Sequence, residues 1–151
     1  MKRLVLLVML FSFCATTFCF AQTKTSQKEK FQANYNNLKA IVESQTYQFI
    51  GEIVLENKKR EKLDRNSNTV TVNKSKSSGQ IVSLSHVNKR FELNGAIEKY
   101  QISFNDDKQR ISIEFSVNKY QISIAIKPNG KAFLTVYSGH SVNISQVGFI
   151  K

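Results

Sequence analysis

The sequence predicts a mainly β fold, an antiparallel sandwich or flattened barrel of about seven to eight strands with one amino-terminal amphipathic helix. Two observations carry this. Between Glu98 and Tyr137, large apolar side chains take every second position, first at Tyr100, Ile102 and Phe104, then at Ile111, Ile113, Phe115 and Val117, then at Tyr120, Ile122, Ile124 and Ile126. That is the period of strands with one buried face, and the run reads as a β-meander. The connecting segments, Asn105 to Lys108 and Lys127 to Gly130, hold residues that supply turn dihedrals, and the single proline, Pro128, sits in one of them.

The chain of 151 residues is one domain's worth, less a leader. Lys2 and Arg3 precede an apolar run from Leu4 to Phe13 that is too short to span a bilayer, and Cys19-Phe20-Ala21 supplies small residues for signal peptidase. Met1–Ala21 is therefore read as a removed signal peptide, with 22–151 as one β-rich domain. A bacterial lipidation site needs a small residue before its cysteine. Phe13 precedes Cys14 and Phe18 precedes Cys19, which favours free release over a lipid anchor. Cleavage after Ala21 leaves 130 of the 151 residues, removes both cysteines and lowers the formal net charge from +11 to +9. Stability then rests on an ordinary hydrophobic core rather than on disulfides.

In order, Ser26 and Glu29 form a capping box, and Phe31, Tyr35, Leu38 and Val42 make one helical stripe, predicting a helix over about 26–43 that lies as a lid on the sheet. From Thr46 the period becomes that of a strand, with Tyr47, Phe49, Ile53 and Leu55 on one side and Ile50 and Val54 on the other. Gly51 in its middle marks a bulge or bend. Asn57 to Arg65 reads as a charged loop pinned by Leu63. Val70 and Val72 define a short strand, Lys74 to Gly79 a turn, Ile81 to Val87 a further strand, and Asn94-Gly95 a two-residue hairpin after Phe91 and Leu93. After the meander, the strand from Ala132 to Tyr137 is apolar on both faces and so interior to the sheet. Gly139 breaks it, and a last strand runs from Val142 to Ile150.

Chemistry-bearing motifs are sparse. His86 and His140 are far apart and lack flanking carboxylates, which falls short of a zinc set or a catalytic triad. Ser138-Gly139-His140-Ser141 lacks the strand-turn-helix context of a nucleophile elbow and reads as a turn. Asp106 and Asp107 are adjacent on a hairpin, where side chains diverge, so they too read as turn residues. The composition carries no phosphate loop or dinucleotide fingerprint. No metal, cofactor or catalytic residue is expected. The positive balance suits anionic surfaces, with nucleic acid set aside because an exported protein seldom meets it and no basic-aromatic reader is present.

Several stretches, Val42 to Phe49, Leu63 to Val72, Ser78 to Ile81, Tyr120 to Ala132 and Ile144 to Ile150, resemble an uncharacterised secreted Bacteroidetes envelope-protein family, domain of unknown function 4251. Members tend to continue after the third stretch with a Leu-Pro-Tyr-like turn, where this chain has Val82-Ser83-Leu84-Ser85-His86. The resemblance implies a small envelope protein and brings no activity with it. The expectation is a non-catalytic binding or interaction module, exported to the periplasm or the outer membrane and not spanning it. Its partner would be an anionic envelope lipid, a polysaccharide or an envelope protein. The candidate surface is Lys58, Lys59, Arg60 and Lys62 in the charged loop, with Lys74 and Lys76 at the next turn. Two other readings are a small apolar-ligand carrier, its barrel lined by Tyr47, Phe49, Phe104, Phe115 and Phe133, and a hydrolase built on His86 or His140.

Overall fold

The computed structural model describes residues 19–56, 58–83, 90–139 and 141–151. Most of the leader, together with His86 and His140, lies outside the described residues. Among the described residues, one helix, α1 (Cys19–Glu43), precedes ten strands: β1 (Thr46–Glu56), β2 (Lys59–Lys62), β3 (Thr69–Asn73), β4 (Lys76–Val82), β5 (Arg90–Glu92), β6 (Gly95–Asn105), β7 (Arg110–Val117), β8 (Tyr120–Ile126), β9 (Lys131–Ser138) and β10 (Ser141–Ile150). All pairings are antiparallel. β6 to β10 neighbour one another in chain order, so the expected meander is present and extends by one strand. The β1–β10 pairing joins the two ends, closing a ring through β1, β3, β4, β6, β7, β8, β9 and β10, with β2 and β5 added at its margins. Of the two architectures that the alternating pattern allowed, the chain adopts the barrel.

An eight-stranded barrel has an interior just wide enough to be filled by side chains. Phe49, Val70, Val72, Ile81, Ile113, Phe115, Ile122, Ile124, Leu134, Val136 and Ile144 fill it and are almost wholly excluded from solvent. Helix α1 closes one end. Tyr35, Leu38 and Val42 are buried as the stripe predicts. The Tyr35 hydroxyl donates to Asp106 Oδ1 at 2.7 Å, Lys39 Nζ lies 3.2 Å from the same oxygen, and Asn34 Nδ2 donates to the Pro128 carbonyl at 3.1 Å. The helix is thus tied to the β6–β7 and β8–β9 turns. Phe31, assigned to the stripe, is 40 % exposed. Ser26 lies within the helix, which already runs from Cys19, rather than at its first turn. Among the described residues, no helix is long and apolar enough to cross a membrane.

Three local expectations are corrected by long-range pairing. Asn94-Gly95 is not a hairpin. β5 and β6 lie end to end along the same edge of β4, and Asn94 joins them by accepting from the Gly79 N–H at 2.8 Å through its side chain. The turn before β4 is only Lys74-Ser75, because Lys76 to Gln80 pair with β3 across Asn73 to Thr69. The charged loop contains strand β2, whose Lys62, Glu61, Arg60 and Lys59 pair with Ile53 to Glu56.

β1 holds the most consequential irregularity. Gly51 pairs with Gly148 while Ile53 pairs with Val147, so Glu52 is an extra residue and the strand bulges where its glycine predicts. An extra residue flips every later side chain to the opposite face. Phe49 and Val54 are therefore both fully buried, whereas Ile53 and Leu55, placed by simple alternation with Phe49, turn to the outer surface and are half-buried.

Candidate functional site

The outward turn of Ile53 creates a shallow groove on the barrel wall, about 350 Å³ in volume, lined by Glu52, Ile53, Arg60, Lys62, Leu63 and Arg65. Its floor is apolar, from Ile53 and Leu63. Its rim is basic. Strand β2 supplies Arg60 and Lys62, and register places these beside Leu55 and Ile53 respectively. The Leu63 N–H donates to the Glu52 carbonyl at 2.8 Å, pinning the segment after β2 onto the bulge.

Arg65 is positioned by a single 3₁₀ turn, Arg65–Ser67, capped by Asp64. The Asp64 carboxylate accepts from the Asn66 N–H at 3.2 Å and from the Ser67 hydroxyl at 2.8 Å. Arg65 in turn pairs with Glu52 across the groove, and its guanidinium carbon lies 5.8 Å from the centre of the Phe149 ring. Behind this wall is a buried polar cluster. Gln146, fully buried, donates from Nε2 to Asn68 Oδ1 at 2.9 Å and to the Val82 carbonyl at 3.1 Å, and Asn68 Oδ1 also accepts from the Val82 N–H at 3.0 Å. These bonds tie β10, β4 and the 3₁₀ turn together behind the groove.

The six basic residues expected to act together occupy two surfaces. Lys58, Lys59, Arg60 and Lys62 are all exposed and adjoin the groove, which Arg60 and Lys62 line. Lys74 lies in the β3–β4 turn and Lys76 directly after it, where Lys76 borders a separate hollow of about 540 Å³ with Asn73, Ser75 and Ala96. Asn73 pairs with Thr46 and Lys62 with Ile53, a separation of about 23 Å along β1 at the rise of a strand. Simple charge counting missed Arg65, Glu52 and Ile53 as groove residues. The one available signal was Gly51, because the bulge it marks is what turns Ile53 outward.

Other candidate chemistry falls into structural places. Asp106 is engaged by Tyr35 and Lys39, which hold its carboxyl below the usual carboxylate range, while burial and that same bond push the Tyr35 hydroxyl up to about 12. Tyr47 and Tyr100 share a hydroxyl contact of 3.1 Å, and burial raises both. Among the described residues no three His, Cys, Asp or Glu side chains gather as a metal site. Of the aromatics considered for a ligand cavity, Tyr47, Phe49 and Phe115 lie in the packed interior. Phe104 is half-buried on β6 with Lys39 Nζ 4.7 Å from its ring centre, and Phe133 faces outward with Lys127 Nζ at 4.4 Å.

The architecture has a counterpart among solved structures. The crystal structure of a DUF4251 family protein from Bacteroides eggerthii superposes with a TM-score of 0.65, covering 79% of this chain and 90% of that one at 16% sequence identity. At that identity, the likeness establishes the fold alone. Among curated proteins, none matches the chain. Residues 29–150, which include the helix stripe, the groove and every barrel strand, match the family described as Domain of unknown function (DUF4251), and the chain belongs to that family.

Proposed function

We propose that this protein is a non-catalytic binding module of the cell envelope, exported by its leader, that engages an anionic partner through the groove on β1 and β2. The observation that carries the reading is the groove itself, where Arg60, Lys62 and Arg65 surround an apolar floor of Ile53 and Leu63, and the one acidic residue of its lining, Glu52, is paired to Arg65. Exposed lysines usually act as scattered solvated charges. Here Arg60 and Lys62 are grouped on the outward side of β2, a short strand held by four pairs to β1, while Lys59 and Glu61 alternate to its other side. Clustered charge of one sign raises the local concentration of counter-charged ligands and makes the interaction salt-sensitive. Nothing in the fold or the family indicates catalysis.

The test is retention on an anionic polysaccharide matrix such as immobilised heparin. The wild-type chain is retained at low salt, and a variant with Lys58, Lys59, Arg60 and Lys62 all changed to glutamine elutes at clearly lower salt with an unchanged thermal melt. Equal elution of the two proteins would discard the groove as the binding surface.

A further inference from the structure

Extending from the groove, with which it shares Ile53 and Lys62, the wall formed by β1, β10, β9 and β8 is unusual in what it turns to solvent. Register aligns its outward side chains in rows across the strands. One row runs from Lys62 through Ile53, Val147 and Phe133 to Ala125, and the row beside it joins Ile50, Phe149 and Lys131. Ile50, Ile53, Val147, Phe133 and Phe149 are all half-buried on this outward side. An antiparallel wall facing water ordinarily carries polar residues on that side. Five strands from β2 to β8 make this face about 19 Å across at the usual strand spacing.

Cations flank the rows on both sides. Arg60, Lys62 and Arg65 stand at the β2 margin, and Lys127 and Lys131 at the β8–β9 margin. Two of them lie over the outward aromatics, Lys127 Nζ at 4.4 Å from the Phe133 ring centre and the Arg65 guanidinium at 5.8 Å from that of Phe149. A long basic side chain lies along apolar surface and keeps its charge at the polar boundary. Aromatic rings between such cations suit a boundary that is apolar inside and negatively charged outside.

We infer that this face seats the protein on a bilayer containing anionic lipid, with Phe133, Phe149, Val147 and Ile53 entering the acyl boundary and the flanking Arg and Lys groups meeting phosphates. The inference rests on the proposed anion-binding groove and narrows its partner from any polyanion to a lipid surface. A polysaccharide matches the rim charges but offers no apolar phase for the rows. A bilayer supplies both in the order in which the face presents them.

The experiment is flotation of the full chain with vesicles of one part phosphatidylglycerol to three parts phosphatidylcholine, run beside the heparin column. The probe variant is F133S together with F149S, both on the outer wall, with a thermal melt to confirm the fold. The wild-type chain floats with the anionic vesicles and not with pure phosphatidylcholine, and the double variant loses about thirtyfold in partitioning while its heparin elution is unchanged. Should the variant itself unfold, changing Lys127 and Lys131 to glutamine gives a second reading and must also weaken flotation. Retention on heparin without flotation, or flotation that ignores both sets of substitutions, overturns the membrane face and leaves the groove standing. Failure on heparin and on vesicles alike overturns both.

Discussion

Replacing Gly148 with alanine tests whether the barrel is closed where β1 meets β10. A Cβ at this position would stand 1.8 Å from the Ile50 carbonyl oxygen and 2.8 Å from its carbon. Ordinary carbon-to-oxygen contacts begin near about 3.3 Å, so the two strands must part by roughly 1.5 Å or twist away from each other. The atoms in the way are backbone and have no rotamer to change. Parting the strands at Gly51 and Gly148 sacrifices about two ladder bonds worth about 1 kcal/mol each, and overpacking adds about 1–3 kcal/mol. The sum is about 3–5 kcal/mol, or about 12 °C in melting temperature for a domain of this size. Alanine in place of glycine otherwise stabilises slightly, by about 0.4–1 kcal/mol through the unfolded chain, so the close approach decides the sign. Gly139 is the control. A Cβ there meets nothing within 4 Å, its backbone is left-handed at φ 63°, and alanine should cost only about 1 kcal/mol. Far-UV circular dichroism melts and urea titrations of the two variants measure the difference. A Gly148→Ala protein as stable as the wild type would refute the β1–β10 seam.

Two further predictions concern the helical lid and the backing of the groove. Tyr35 has its ionisation raised to about 12 from an ordinary 10, so its contribution is complete below pH 10 and is lost as the pH rises from there towards 12; Asp106 is lowered from 3.8, so its contribution is complete above that value and is lost as the pH falls through its lowered folded value. Tyr35→Phe should weaken both limbs of the stability profile, which urea midpoints at pH 3, 7 and 11 would reveal (about these values, chosen to bracket the two windows); an unaltered profile would exclude the Tyr35–Asp106 bond as its source. At the groove's backing, Asn68→Ala leaves the part-buried Val82 N–H without its acceptor and the buried Gln146 with one bond fewer. A loss of about 2–3 kcal/mol in chemical denaturation is expected, whereas a loss below about 0.5 kcal/mol would show that the cluster does not brace the wall.

Much of this molecule is legible from the chain alone. Period-two alternation is a local property, and it located β7 and β8 and placed Ile113, Ile122 and Ile124 on a buried face, whereas β9, apolar on both sides, was located without showing which of its faces is buried. Turn residues located the corners at Asp106 and Pro128, and the stripe of Tyr35, Leu38 and Val42 identified the helical lid. Gly51 marked its bulge. What the sequence by itself could not determine is which strands meet, because pairing depends on residues far apart in the chain. The same Asn94-Gly95 that would make a tight hairpin in isolation instead joins β5 to β6 along β4, since β4 offers one edge to both. Lys62 and Lys74 are close in sequence yet flank distant parts of β1. The candidate site is the clearest case. One extra residue at Glu52 reverses the facing of Ile53 and Leu55, and the bulge becomes definite only when β10 supplies Gly148 and Val147 as partners. Composition and local period set the elements and the core, while closure of the barrel decided which apolar side chains were left on its outer wall.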